Sequence, residues 1–336
     1  MSDALAFCRY LAPFRPALEG NDAGMERAGG HRQSSSDAIL AACVDALKSS
    51  NSKGLAECDV DIQDVSCITV SAETVGTEAW ERNGKSRGAA IWFVPNQGFD
   101  RKRRMVYLHG GGFKRYSPSH AVYKSWCSRL AVATGVPVLA IDYRLAPEHF
   151  APAAIHDVLA AVEFAWDHGP DGAEPAQQVI LGGDSSGGCQ VFASFAASIL
   201  REVAPGVALK PIKHERRLPS LLWALSAWTD LTCSQASYVS RAWDPATHCG
   251  DPIYSSSPEM ERTTNASSAD PYVGMLDRFD SRLSPLNMNA DLLRQLPPTL
   301  LLVGDAEVLL DDSQEFAARA LKAGAVDVEI RVYPHM

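Results

Sequence analysis

The sequence predicts an α/β fold, a mostly parallel eight-stranded sheet flanked by helices. Three observations lead there. Short apolar or β-rich runs alternate with stretches of helical periodicity, which is the signature of a parallel sheet covered by helices. The segments between successive strand candidates have the length that a βαβ crossover needs. Two glycine-rich turns each directly follow a strand candidate, where the ligand-binding loops of open α/β sheets lie. With 336 residues and 46% apolar content, the chain can bury a sizeable core of this kind.

Taken in order, the strand candidates are 58–70, 89–94, 104–108, 137–142, 178–182, 221–226, 298–303 and 326–333. Helices are expected at 119–134, 152–168, 188–203 and 311–323. Residues 1–56 stand outside this rhythm; there Ser36 and Asp37 offer an N-cap to an apolar-periodic helix over 38–48. Residues 233–290 also break it. They are rich in Ser, Asp, Pro and Asn, carry Trp243, Tyr254, Tyr272 and Met275, and are too long for a plain connection inside a compact domain.

The first glycine-rich turn that matters for chemistry runs from Gly182 to Gly188 after Val179, Ile180 and Leu181 and before a helical stretch. A nucleophilic serine must be presented on a strained strand-to-helix turn, with small residues two positions to either side. Ser185, between Gly183 and Gly187, meets that requirement. The second turn, His109-Gly110-Gly111-Gly112-Phe113, follows the strand-like run Met105 to Leu108. Consecutive glycines leave backbone N–H groups free to point at a developing negative charge, so this reads as an oxyanion loop. Gly111 and Gly112 are its candidate donors, together with Ser186, because the residue after a nucleophile contributes at such an elbow.

A third segment, Asp142-Tyr143-Arg144-Leu145-Ala146-Pro147-Glu148-His149-Phe150 continuing to Asp157, completes a pattern. With these three motifs the chain resembles the hormone-sensitive-lipase branch of the α/β-hydrolases, from about Ala89 onwards. The resemblance implies an α/β-hydrolase fold in which a serine attacks an ester carbonyl. It implies a structural role for the third motif, so Arg144 and Glu148 are not assigned to catalysis. It also implies a helical cap over the acyl site, formed by 1–56 as an N-terminal segment and 233–290 as an insertion, with 57–336 as the catalytic domain.

The acid of the triad is expected after the seventh strand. Laid on the family pattern, Glu307 falls on the acid position where relatives usually have Asp, and hydrolase triads accept either carboxylate. Asp305 is the runner-up, while Asp311 and Asp312 are expected to cap the next helix or face solvent. For the base, the chain order serine, acid, histidine leaves only His335 beyond Glu307, 28 residues on and directly after the eighth strand candidate. The family's usual ending instead places the base two residues after a Met and follows it with a helix. On that alignment the base would lie past Met336, in a chain cut short, and His335 would be its neighbour. Both alternatives stand on the sequence. His109 is expected to anchor the oxyanion loop rather than carry protons.

The formal net charge of −9 argues against nucleic acid as the main partner. The basic runs Arg101 to Arg104 and Lys210 to Arg217 are expected to be solvated loops. Eight cysteines are scattered without a C-x-x-C pair, so no metal cluster is expected, and the serine chemistry needs no cofactor. No stretch approaches eighteen apolar residues and the N-terminus lacks a signal-peptide pattern, giving the expectation of a cytoplasmic protein without stable membrane insertion, with a homodimer allowed. The function expected is hydrolysis of small to medium acyl esters by Ser185, Glu307 and His335. The alternative is a hydrolase scaffold without a base that binds a small ligand and does not turn it over.

Overall fold

The computed structural model describes residues 64–208, 217–243, 250–255, 267 and 269–334, and for Trp243 and residues 252–255 the backbone alone. The expected N-terminal helix over 38–48, residues 210–216 of the basic run Lys210 to Arg217, and His335 lie outside the described residues.

All eight expected strands form, and they make one sheet. They are β1 Val65–Val70, β2 Ala90–Pro95, β3 Arg103–Leu108, β4 Val138–Ile141, β5 Gln178–Asp184, β6 Leu221–Leu225, β7 Thr299–Gly304 and β8 Val328–Tyr333. Their spatial order is β1-β2-β4-β3-β5-β6-β7-β8. β2 runs antiparallel to both β1 and β4, and every other pairing is parallel. Chain order and spatial order part company at β3 and β4, so the loop after β3 ends beside the C-terminal end of β5. That is the crevice where open α/β sheets bind ligands.

Four long helices carry the crossovers: α1 Ala121–Thr134, α2 Ala153–Asp167, α3 Ser186–Leu200 and α4 Leu310–Ala323. The period-2 alternation of the strands sorts their side chains onto the two faces. Tyr107 of β3, Trp223 of β6 and Leu300 of β7 pack in one cluster with Tyr123, Trp126 and Leu130 of α1. Their neighbours Val106, Leu222 and Leu301 pack on the other face with Val158 of α2, Phe192 of α3 and Phe316 of α4. Each such large side chain withdrawn from water contributes about 1.5–3 kcal/mol. The central strands are therefore buried on both faces, as their unbroken apolar runs require.

Two expectations are corrected. Arg104 belongs to β3 and is buried, donating from Nη1 to the Ala165 carbonyl at 3.0 Å and from Nη2 to that of Glu174 at 2.5 Å. A guanidinium can enter the interior when carbonyls replace its water, so this part of the basic run is no solvated loop. Asp312 does not face solvent either. It is fully buried at the start of α4 and accepts from the backbone N–H groups of Thr229 at 2.8 Å and Asp230 at 2.9 Å, which ties the loop after β6 to the helix after β7.

The third motif is structural, as expected. Arg144 grips Asp157 of α2 through its side chain and its backbone N–H, and Glu148 pairs with Arg82. Among the described residues, no helix is long and apolar enough to cross a membrane.

Candidate active site

β5 ends at Asp184 and α3 begins at Ser186, which leaves Ser185 alone on the turn between them. Its backbone sits at φ 53°, ψ −119°, outside the regions that side-chain-bearing residues prefer. Three hydrogen bonds hold it there. Ser185 N–H donates to the Leu225 carbonyl at 2.9 Å, while the Ser185 carbonyl accepts from Trp228 N–H and Cys189 N–H, each at 3.0 Å. From Val179 to Ala197 every residue is buried except Ser185, which is partly exposed. The strain therefore coincides with the one side chain in the run that reaches solvent, a combination that marks functional sites.

The turn depends on close backbone approach. A Cβ on Gly187 would drive into the Leu108 carbonyl at the end of β3, so only glycine lets α3 leave the elbow at this angle. On the other side the glycine-rich loop after β3 closes in. A Cβ placed on Gly110 would lie 3.1 Å from Ser185 Cβ. Beyond it Gly111 takes φ 116°, a conformation that glycine alone adopts freely, and Gly112 follows at φ 62°. Both are partly exposed, between buried Gly110 and buried Phe113. Ser186, the first residue of α3, is buried, and an N–H at that position has no acceptor within its own helix.

His109 lies under this loop. It is buried, its ring stacks on Tyr143 with centroids 4.5 Å apart, and Nδ1 lies 2.8 Å from the Gly110 carbonyl oxygen. Burial pushes its pKa down to about 4, so the ring is neutral at pH 7. This is the anchoring arrangement that the sequence led us to expect.

Glu307 follows the end of β7 by three residues and is buried. Its Oε1 accepts from Gly304 N–H at 2.8 Å, and the next residue, Val308, donates its N–H to Asp251 Oδ2 at 3.2 Å. Asp305 is partly exposed, and its N–H donates to the Tyr333 carbonyl at the end of β8. The structure thus brings Ser185, Gly110 to Gly112 and Ser186 together and places Glu307 at the same, C-terminal edge of the sheet. His335 lies two residues past the end of β8, outside the described residues.

The sequence gives no specific role to two groups that the structure places at the site. Asp184 is buried beneath the elbow, and Tyr107 and Tyr123 donate to it at 2.7 and 2.9 Å. Tyr272, from the 233–290 segment, stacks on Phe113 of the glycine-rich loop after β3 and accepts from Gln190 Nε2 of α3 at 2.6 Å. Asp184 sits inside a motif that drew attention only to its neighbour. Its partners lie 61 and 77 residues away, where no local pattern points to them. Among the described residues, no group of three or more His, Cys, Asp or Glu could hold a metal ion.

Residues 105–336 match the family described as alpha/beta hydrolase fold. The chain belongs to the α/β-hydrolase fold family. Within this α/β-hydrolase family it is hormone-sensitive-lipase-like. An acetyl-hydrolase of Streptomyces hygroscopicus is 32% identical over 234 residues, covering 70% of this chain and 67% of that protein. The carboxylic ester hydrolase LipN of Mycobacterium tuberculosis is 32% identical over 232 residues, 68% of this chain and 54% of that one. The chain therefore spans about half to two thirds of the length of these curated α/β-hydrolases. A solved esterase from the bacterial hormone-sensitive lipase family superposes with a TM-score of 0.59 at 27% identity, covering 89% of this chain and 88% of that structure.

Proposed function

We propose that this chain is a serine carboxylic-ester hydrolase that acts on small to medium acyl esters. The observation that carries the reading is Ser185, held at positive φ as the one partly exposed residue of a buried strand-turn-helix, with the oxyanion loop packed against it. In this reading His335 takes the proton from Ser185 Oγ as that oxygen attacks the acyl carbon. Glu307 orients the imidazole and stabilises the imidazolium. The oxyanion accepts hydrogen bonds from the backbone N–H groups of Gly111, Gly112 and Ser186, each contributing about 3 kcal/mol to the transition state. Collapse breaks the bond to the alcohol, which leaves with the proton from His335. Water then attacks the acyl-enzyme with the same histidine as base, and the acid is released.

Segments 1–56 and 233–290 are read as a cap over the acyl site. For the second, the stacking of Tyr272 on Phe113 supports the reading.

The test is hydrolysis of p-nitrophenyl butyrate by the full chain and by Ser185→Ala. Turnover that vanishes in Ser185→Ala is the expected result. Equal turnover by both would overturn the assignment of Ser185. Binding of the ester by a folded parent without turnover would give the scaffold a ligand-binding role instead. Glu307→Gln separates the acid from Asp305: kcat should fall about 10³–10⁴-fold if Glu307 sets the tautomer.

A further inference from the structure

We propose that Asp184 is a positioning residue that fixes the oxyanion loop to the nucleophile, its carboxylate holding Gly110, Tyr107 and Tyr123 in one buried clasp. The inference rests on the serine-hydrolase reading of the site. Asp184 Oδ1 accepts from Gly110 N–H at 3.0 Å and from the Tyr107 hydroxyl at 2.7 Å, while Oδ2 accepts from the Tyr123 hydroxyl at 2.9 Å. Gly110 N–H also reaches the Tyr123 oxygen, at 2.8 Å. A Cβ on Gly110 would collide with the Asp184 carboxylate, so loop and carboxylate are in direct contact.

The chain itself makes this contact consequential. Asp184 is peptide-bonded to Ser185, and Gly110 is peptide-bonded to Gly111. A bond between Asp184 and Gly110 therefore sets the distance from the nucleophile to the donors that must meet its oxyanion. A misplacement of about 1 Å in such a constellation costs on the order of 10²-fold in rate. The two tyrosines are themselves wedged, Tyr107 between Trp126 and Trp223 and Tyr123 between His109 and Tyr116.

The titratable groups that act on Asp184 are Tyr107 of β3, Tyr123 and Cys127 of α1, and Tyr143 after β4. Burial pushes all four up, so they are neutral at pH 7. Burial among these uncharged groups raises the Asp184 carboxyl to about 6, against the hydrogen bonds that lower it. The clasp is charge-assisted above that pH and weaker below it.

The test uses the full chain with p-nitrophenyl butyrate. Asp184→Asn keeps the shape and removes the charge; kcat should fall at least tenfold with KM within twofold. Tyr107→Phe removes a donor that stabilises the ionised carboxyl, so the acid limb of its kcat profile should move to higher pH. A part that served stability alone would not shift that limb. If Asp184→Asn keeps kcat within twofold of the parent, or the acid limb of Tyr107→Phe stays in place, the proposal falls. Should Asp184→Asn fail to fold, Tyr107→Phe decides. Should the folded parent show no Ser185-dependent turnover, the hydrolase reading fails by itself, and amide exchange of residues 109–113 in Tyr107→Phe tests the clasp. Faster exchange there than in the parent supports it, and unchanged exchange overturns it.

Discussion

The ring of Tyr272 lies flat on that of Phe113, with centroids 4.0 Å apart and planes 7° from parallel. One ring closes the glycine-rich loop after β3 and the other comes from the long segment after β6. The Tyr272 hydroxyl reaches Gln190 of α3, and its carbonyl accepts from Ala151 N–H before α2. A single residue thus joins that segment to the loop and to α3.

Tyr272→Phe keeps the stack and leaves buried Gln190 Nε2 without its partner, which should cost about 1–3 kcal/mol. Tyr272→Ala also removes the ring and should cost about 3–5 kcal/mol. Urea unfolding of the three proteins checks the order. Equal stability of parent and Tyr272→Ala would mean that the segment is not anchored through this residue.

Ser185→Gly should be more stable than Ser185→Ala. Alanine keeps the Cβ that makes positive φ costly, whereas glycine relieves it, and the difference is about 1–2 kcal/mol. Thermal unfolding midpoints of the two variants read this directly. A higher midpoint for the alanine variant would show that the elbow is not strained.

Gly187→Ala should damage the fold and not merely the rate. The added methyl meets the Leu108 carbonyl, which β3 holds in register with β5, so it cannot swing aside as a side chain could. Overpacking of this kind costs about 1–3 kcal/mol or more. The expected result is a lowered unfolding midpoint together with loss of soluble yield, and a parent-like midpoint would refute the close approach.

Asp184 and His109 titrate in opposite senses. The Asp184 carboxyl rises from 3.8 to about 6 on folding, so its contribution to stability is full below 3.8 and is lost as pH rises through 6. His109 falls from 6.5 to about 4, so its contribution is full above 6.5 and is lost as pH falls towards 4. Each is on the order of 3 kcal/mol, and over pH 4–6.5 they nearly cancel. In Asp184→Asn only the histidine is left, so its stability should climb with pH by about 3 kcal/mol more than that of the parent. Urea midpoints at pH 4 and pH 7 measure the difference. Parallel pH dependences in the two proteins would refute the shift at Asp184.

Some features of the site were legible because they are local. Ser185 and the loop at Gly110 to Gly112 each occupy a few consecutive residues whose backbone demands, positive φ and absent Cβ, write themselves as glycines after an apolar strand. The role proposed for Glu307 comes only from resemblance to a family, since a carboxylate after a strand has no signature of its own. Arg104 and Asp312 misled because charged residues read as solvated. Burial became tolerable only where distant carbonyls and N–H groups replaced water, and nothing adjacent in the chain announces those partners.

The sequence by itself determined the α/β architecture, all eight strands, the four crossover helices and the tight strand-to-helix turn at Ser185. Periodicity and turn chemistry act over a few residues and can be read in one dimension. Only the tertiary structure decided that Asp184 faces Gly110, that Tyr272 lies on Phe113, and which charges are buried. Those are contacts between segments tens of residues apart, the first made where sheet order brings β3 beside β5, and their strength comes from the exclusion of water that packing alone provides.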